Sequence, residues 1–404
     1  MKKTLIIFAL ASAVALTAGC FEDIYLSGAP DGTIALSVST NGGAGLLRIN
    51  PEMTTATLVA ENVARAEYSP DGKKLFCALG SYGQDAIRYE LAVCDVDGKV
   101  ETVVDGFEWR EKNSTPMMEL RWSPDGKYVS YLMPHTTNAD ELVDLHIKQP
   151  AGPYHLVIPK VAFGYAWSLD SKEVAVVATD AEDVHTTALG SVQLWDVEKK
   201  ERTAEPAGVF FYPWLWTAWQ SETTILFSAH KVEMPLAGKS SLEAVPISLF
   251  SVTRGGADMR DLLGTQELSS GDYPGMFDIS PDKKRIAYVV WLPRKEGATF
   301  EGPAGELYVA NADGSNVLKV AEASQIQTPP RWLDTRRVAC AMTTKSGDKE
   351  ESHIYVIEPG VKTVDLMPLI APLVAPKEAS PAGGVPSPST ASALSTSSEV
   401  TTGK

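Results

Sequence analysis

The sequence predicts an all-β fold built from one repeated four-stranded unit. Three observations carry the prediction: a turn motif recurs along nearly the whole chain, a short apolar run follows each copy, and no long amphipathic helical stretch interrupts the order. The motif is an aromatic or apolar residue followed by a turn of the Ser-Pro-Asp-Gly type. Pro fixes φ, Asp can accept hydrogen bonds from backbone amides ahead of it, and Gly takes the positive φ that closes a tight hairpin. The run after each turn is nearly continuous rather than alternating, as expected of a strand buried on both faces between neighbouring sheets. Roughly seven copies at about 40 to 60 residues match the length of a propeller blade. The predicted architecture is therefore a β-propeller of about seven four-stranded blades. Six blades would follow if the first or fifth unit is incomplete, and closure would then mix strands from both ends of the chain.

Each element follows in order. Ala29-Pro30-Asp31-Gly32 leads into Ile34 to Val38, and Tyr68-Ser69-Pro70-Asp71-Gly72 into Leu75 to Leu79. Trp122-Ser123-Pro124-Asp125-Gly126 leads into Tyr128 to Met133, and Trp167-Ser168-Leu169-Asp170-Ser171 into Val174 to Ala178. A worn copy, Trp219-Gln220-Ser221-Glu222, precedes Ile225 to Ser228. Ile279-Ser280-Pro281-Asp282-Lys283 precedes Ile286 to Trp291, and Trp332-Leu333-Asp334-Thr335 precedes Val338 to Met342. A second strand and polar turn follow, as in Leu91 to Gly98, Val192 to Val197, Leu307 to Gly314 and His353 to Ile357.

Ser-Pro-Asp-Gly-Lys before an apolar strand, with Tyr-Val-x-Asn-x-Asp-Gly-Ser-Asn in a following hairpin, resembles the repeat of TolB-type propellers, which are similar to WD-repeat propellers. The resemblance covers nearly the whole chain after Cys20 and is strongest at residues 64–135 and 273–320. The fourth, fifth and seventh units depart from it, and the separate N-terminal α/β domain of TolB has no counterpart. The resemblance implies the fold; it does not imply an activity, because propellers serve as scaffolds, receptors, lyases and peptidase-gating domains alike. TolB itself is not lipid-anchored, so a role in its envelope complex is not implied.

The N-terminus reads as an export signal. Met1-Lys2-Lys3 is positive, Leu5 to Leu16 is apolar except for Ser12, and Leu16-Thr17-Ala18-Gly19-Cys20 ends in a thiol. The apolar run is shorter than the roughly 20 residues a membrane-spanning helix needs. The last five residues resemble a bacterial lipobox, which implies that residues 1–19 are removed and that Cys20 is lipidated; two or three acyl chains would hold where one binds only marginally. Phe21 stands where Asp would signal inner-membrane retention, which favours the outer membrane. The expected division is a signal peptide over 1–19, a propeller over 20–370 and a disordered tail over 371–404, rich in Ala, Pro, Ser and Thr.

With 404 residues and 44% hydrophobic content the chain can bury a large core, and its net charge of -15 with no basic cluster argues against nucleic acid as a partner. Besides Cys20, Cys77, Cys94 and Cys340 are an odd set for an oxidising compartment; Cys77 and Cys94 fall in successive strands, where a disulfide and buried free thiols fit equally. His135, His146, His155, His185, His230 and His353 show no paired metal spacing. Some TolB-like propellers are pectin-fragment lyases that hold a metal through histidines from several blades, so convergence at the axis would point to a lyase. Ser280 to Lys283 matches Ser-x-x-Lys but falls in a repeat turn, and no Gly-x-Ser-x-Gly elbow exists. The turn aspartates lack the dense oxygen ligands of a calcium loop. Phe210 to Trp219 is the densest aromatic stretch; it would suit a sugar ring or a partner's apolar side chains if exposed, and packing between blades is the favoured reading. The sequence thus points to no cofactor and no catalytic residue. It points to a membrane-anchored scaffold for an envelope protein or polymer, with a lyase-like propeller enzyme as the alternative.

Overall fold

The computed structural model describes residues 24–40, 43–82, 86–109, 118–134, 143–179, 189–210, 215–230, 247–264, 276–292, 304–346 and 349–374. The first sheet is β1 (Tyr25–Gly28), β2 (Ile34–Thr40), β3 (Gly43–Ile49) and β4 (Ala56–Glu61), and the second is β5 (Val63–Tyr68), β6 (Lys74–Tyr82), β7 (Ile87–Asp95) and β8 (Val100–Trp109). A seven-stranded sheet holds β9 (Arg121–Trp122), β10 (Val129–Pro134), β11 (Val143–Lys148), β12 (His155–Trp167), β13 (Glu173–Ala178), β14 (Leu189–Asp196) and β15 (Glu201–Phe210). Two four-stranded sheets follow: β16 (Thr217–Trp219), β17 (Thr224–His230), β18 (Ile247–Thr253) and β19 (Arg260–Asp261), then β20 (Phe277–Ile279), β21 (Arg285–Trp291), β22 (Gly305–Asn311) and β23 (Leu318–Ala323). In the last sheet β24 (Gln325–Ile326) and β25 (Arg331–Trp332) both pair with β26 (Val338–Ser346), which continues into β27 (Lys349–Glu358) and β28 (Lys362–Asp365).

All these pairings are antiparallel. In the seven-stranded sheet β12 changes partner along its length: His155 to Val161 pair with β11, and Val161 to Trp167 pair with β13 across a register shift between Val161 and Tyr165. One strand thus closes one four-stranded repeat and opens the next. The architecture is the all-β propeller that the repeat predicts.

The turn motif works as its residue types require. In the turns at Ser69, Ser123, Ser168 and Ser280 the hydroxyl donates to the aspartate two residues on, at 2.7, 2.6, 2.8 and 2.7 Å, and accepts the amide five residues on. The same aspartate then accepts the amide two residues beyond itself. Buried polar groups are thereby satisfied within one hairpin. The residue that closes the turn is left-handed whether or not it is glycine: φ is +70° at Gly72 and +72° at Gly126, but also +63° at Ser171 and at Lys283.

The core lies between sheets. No described sheet mixes strands from the two ends of the chain; the ends meet by packing. Leu26, Ile34 and Leu36 of the first sheet are buried with Leu333, Ala341 and Ile354 of the last, and Leu366 and Ile370 cover them from α1 (Met367–Val374) and the residue before it. Gly28 makes this seam close, because a β-carbon there would stand 2.0 Å from the Leu333 carbonyl oxygen. Arg337, 6% exposed, clasps the seam from the other side by donating to the carbonyls of Pro51 (2.9 Å) and Gly32 (3.0 Å).

The helix runs across residue 370, where composition alone places the start of the tail, because Ile370 is needed to cover the seam; residues 375–404 lie outside the described residues. No described helix is long and apolar enough to cross a membrane. Cys77, Cys94 and Cys340 are buried free thiols. Cys77 and Cys94 share one face of the β6–β7 pair, two positions out of register, since Leu75 faces Cys94 and Ala92 faces Cys77.

Candidate functional site

The innermost strands meet around the axis, and charge gathers there. Glu119, just before β9, is 7% exposed, and its Oε1 accepts from Arg121 (3.0 Å) and also from Arg331 of β25, more than two hundred positions along the chain. The Tyr165 hydroxyl donates to the Glu119 carbonyl (3.0 Å), and the Tyr25 hydroxyl to the Leu120 carbonyl (2.9 Å). The guanidiniums of Arg331 and Arg65 lie 5.3 and 5.5 Å from the Tyr25 ring centroid. Groups from four sheets are thus tied across the centre of the molecule.

Burial pushes the Glu119 carboxyl up, but Arg331, Arg121 and Arg65 together outweigh it and hold the group below its usual range. Glu67, on β5 in the same cluster, goes the other way: burial raises its carboxyl to about 7, against the opposing pull of Arg331 and Arg121. A carboxyl whose folded pKa is raised contributes stability that is full below its unfolded pKa of about 4.3 and lost as pH climbs through 7. Glu67→Gln is therefore expected to flatten the fall in urea midpoint between pH 5 and 8, and to stabilise the protein at pH 8 by roughly 2 kcal/mol, allowing for the partial exposure of Glu67. An unchanged profile would show that Glu67 is ionised throughout.

Next to this network, on the side of the repeat turns, is a cavity of about 170 Å³. Its walls include Trp122, Trp167, Trp219 and Phe277, and its polar lining includes Arg121 and Lys283. The three tryptophans occupy the motif position just before the turn. Burial, helped by Arg121 and opposed by Asp278, holds the Lys283 amine below its usual range.

The residues singled out from sequence are dispersed. Cys20 lies outside the described residues, as do His135 and His185. His146 on β11 and His155 on β12 stack on each other, with Nδ1 and Nε2 3.1 Å apart, and burial with the neighbouring His155 pushes His146 down to about 4. His230 is on β17, and His353 on β27 is 2.8 Å from Asp365. None of these four occupies an innermost position, His155 lying in the part of β12 that pairs with β11. The described residues form no group of three or more potential metal ligands. Ser280 is fully buried, its hydroxyl engaged by Asp282 and the Arg285 amide as in the other turns. Of the aromatic stretch, Leu215, Trp216 and Trp219 pack in the core between sheets, and residues 211–214 lie outside the described set.

Motif reading alone does not reveal the axial charges, yet the sequence carries a signal for them. The position before the motif's aromatic or apolar residue is Glu67, Arg121, Asp278 and Arg331 in four units. A charge in the middle of an innermost strand has nowhere to go but the axis.

No protein-family profile matches the chain, and no curated protein does. Solved structures share the fold. The β-propeller domain of the trilobed protease from Pyrococcus furiosus aligns at 12% identity and a TM-score of 0.54, covering 85% of this chain and 95% of that one; it is described as having an open velcro topology. The acylaminoacyl peptidase of Pyrococcus horikoshii aligns at 12% identity and 0.52, over 87% of this chain and 53% of its own. A TolB protein from Agrobacterium tumefaciens aligns at 15% identity and 0.40, over 68% of this chain and 87% of its own. The chain is a β-propeller, similar in fold to domains that accompany peptidases.

Proposed function

We propose that the protein is a lipid-anchored, non-catalytic binding module of the bacterial envelope, held through Cys20 at the outer membrane, whose seven four-stranded blades present an axial face to an envelope protein or polymer. Assigning the strand shared at β12 to two blades supports the reading of seven. The observation that supports binding is the axis itself: Glu119, Arg121 and Arg331 tie the inner strands into a rigid floor, and an aromatic-walled cavity lies beside it. A rigid concavity that sets a few fixed polar groups among aromatic walls is what ligand recognition requires.

The lyase reading needs histidines gathered at the axis, and the four described ones lie on the second to fourth strands of their repeats. They give it no support.

The test is chemical crosslinking in intact cells, with mass spectrometry of what is extracted with the tagged protein. A reproducible envelope partner, lost when the turns bordering the cavity are mutated, is the expected result; recovery of the protein alone would count against the reading. In the same cells Cys20→Ser is expected to move the protein from the membrane pellet to the soluble fraction. Retention in the pellet would show that something other than acyl chains holds it.

A further inference from the structure

The repeat makes Lys283 anomalous. It closes the Ser280 turn at φ +63°, where Gly32, Gly72 and Gly126 close theirs. Left-handed backbone is costly for a long side chain and free for glycine, so this unit, like the turn closed by Ser171 at φ +63°, carries strain that the three glycine-closed turns avoid. What the lysine supplies in exchange is a cation in the lining of the axial cavity.

Two buried donors of residues in that lining, Arg121 Nε and Trp219 Nε1, have no hydrogen-bond partner among the described residues. Lys283 adds a cation to the same lining. The other motif tryptophans are satisfied: Trp122, Trp167 and Trp332 donate to Glu67 O, Ser130 Oγ and Asp278 O. Asp278, which also lines the cavity, offsets part of this positive charge, but its Oδ1 already accepts the Ile279 amide and its Oδ2 the Trp332 amide, each at 2.9 Å. Unmet donors in a buried site cost free energy that an acceptor-rich ligand would recover. The aromatic walls set the rest of the ligand: a cavity of about 150 Å³ accepts a benzene-sized body, and this one is slightly larger.

We infer that the cavity is a binding site for a carboxylate borne on a ring-sized apolar body, with Arg121, Lys283 and Trp219 receiving the carboxylate and Trp122, Trp167 and Phe277 enclosing the body. The carboxylate is that of a free acid or of the last residue of a chain. The inference deepens the binding-module reading and rests on it for the choice of face.

Calorimetric titration of the intact protein with 3-phenylpropionate, its amide, inorganic phosphate, and a short peptide ending in Phe with a free or amidated terminus tests it. Wild type is expected to bind the free acid, the free-ended peptide, or both, and to ignore phosphate and both amides. Binding of the acid alone identifies a small molecule as the ligand, and binding of the peptide identifies a chain end. Lys283→Gly restores the residue of the sister turns, so its thermal midpoint is expected to hold or rise while affinity falls at least tenfold. Absence of binding by either carboxylate, equal binding of acid and amide, or unchanged affinity in Lys283→Gly would overturn the inference. If carboxylates fail to bind while a crosslinked envelope partner persists, the inference falls and the binding-module reading stands. Carboxylate binding with no partner in cells keeps the cavity as a ligand site and removes the envelope partner.

Discussion

Glu119→Gln is expected to destabilise the fold by about 3 to 5 kcal/mol, the range for removing one partner of a buried ion network. The glutamine keeps the shape but not the charge, so the guanidiniums of Arg121 and Arg331, which share Glu119 Oε1, lose their directly paired carboxylate beside Arg65. The loss should also depend on pH. Because the Glu119 pKa is depressed on folding, its contribution is complete above the unfolded value of about 4.3 and disappears as pH falls through the folded one, so wild type and variant should converge in strong acid. Urea denaturation at pH 7 and pH 3 reads both effects. A loss under about 1 kcal/mol at pH 7 would mean that water reaches the cluster and screens it. Adding Arg331→Met to Glu119→Gln should recover part of the stability, since the cost lies in the unmatched cation rather than in the missing contact.

Gly28→Ala is expected to act at a different place with comparable force. The added methyl would meet the Leu333 carbonyl oxygen at 2.0 Å and the Leu333 backbone carbons at 2.7 and 2.8 Å. A side chain could rotate away; the Leu333 backbone, held in the turn directly after β25, cannot, so the first and last sheets must separate. A loss of about 3 kcal/mol, the upper part of the range for overpacking, is expected. The signature is local. Amide exchange should rise in β1, β26 and α1, which share the seam cluster, and stay near wild type in β13 and β14, which lie elsewhere in the ring. Uniform acceleration through the whole chain would refute a seam-specific role.

The fold is legible because its repeat is written in residues whose conformational limits are local. Pro70, Asp71 and Gly72 specify a turn without reference to the rest of the chain, and Leu75 to Leu79 specify a strand covered on both faces; neither statement needs tertiary information. The seam is not legible. Gly28 reads as an ordinary strand-end glycine, and only its meeting with Leu333, three hundred positions away, gives it a role. The helix over Met367 to Val374 escapes for the same reason: composition divides the segment at residue 370 between propeller and tail, and it is Leu366 and Ile370 packing against Ile354 and Val356 that order it. At the site, the motif tryptophans read as punctuation of the repeat and prove to be cavity walls. Lys283 reads as the last residue of a repeat turn and as the fourth of a Ser-x-x-Lys pattern, when the informative comparison is with the glycines that occupy its place in other turns.

The sheets described above are each completed by strands that follow one another along the chain, and the two ends are joined by side-chain packing and side-chain hydrogen bonds rather than by strand pairing. A polypeptide that emerges end first can therefore finish one sheet before the next is available, with every strand pairing made between near neighbours in time as well as in space. Nothing in the first sheet waits for a strand from the last. The burial of Leu26 and Leu36 under Leu333 and Ile370, with the long-range contacts of Arg331 and Arg337, must await the final residues, which makes ring closure the last folding event and the first to reverse. A chain truncated just before Leu366 should accordingly yield a set of formed sheets with one unsealed edge rather than an unfolded polymer.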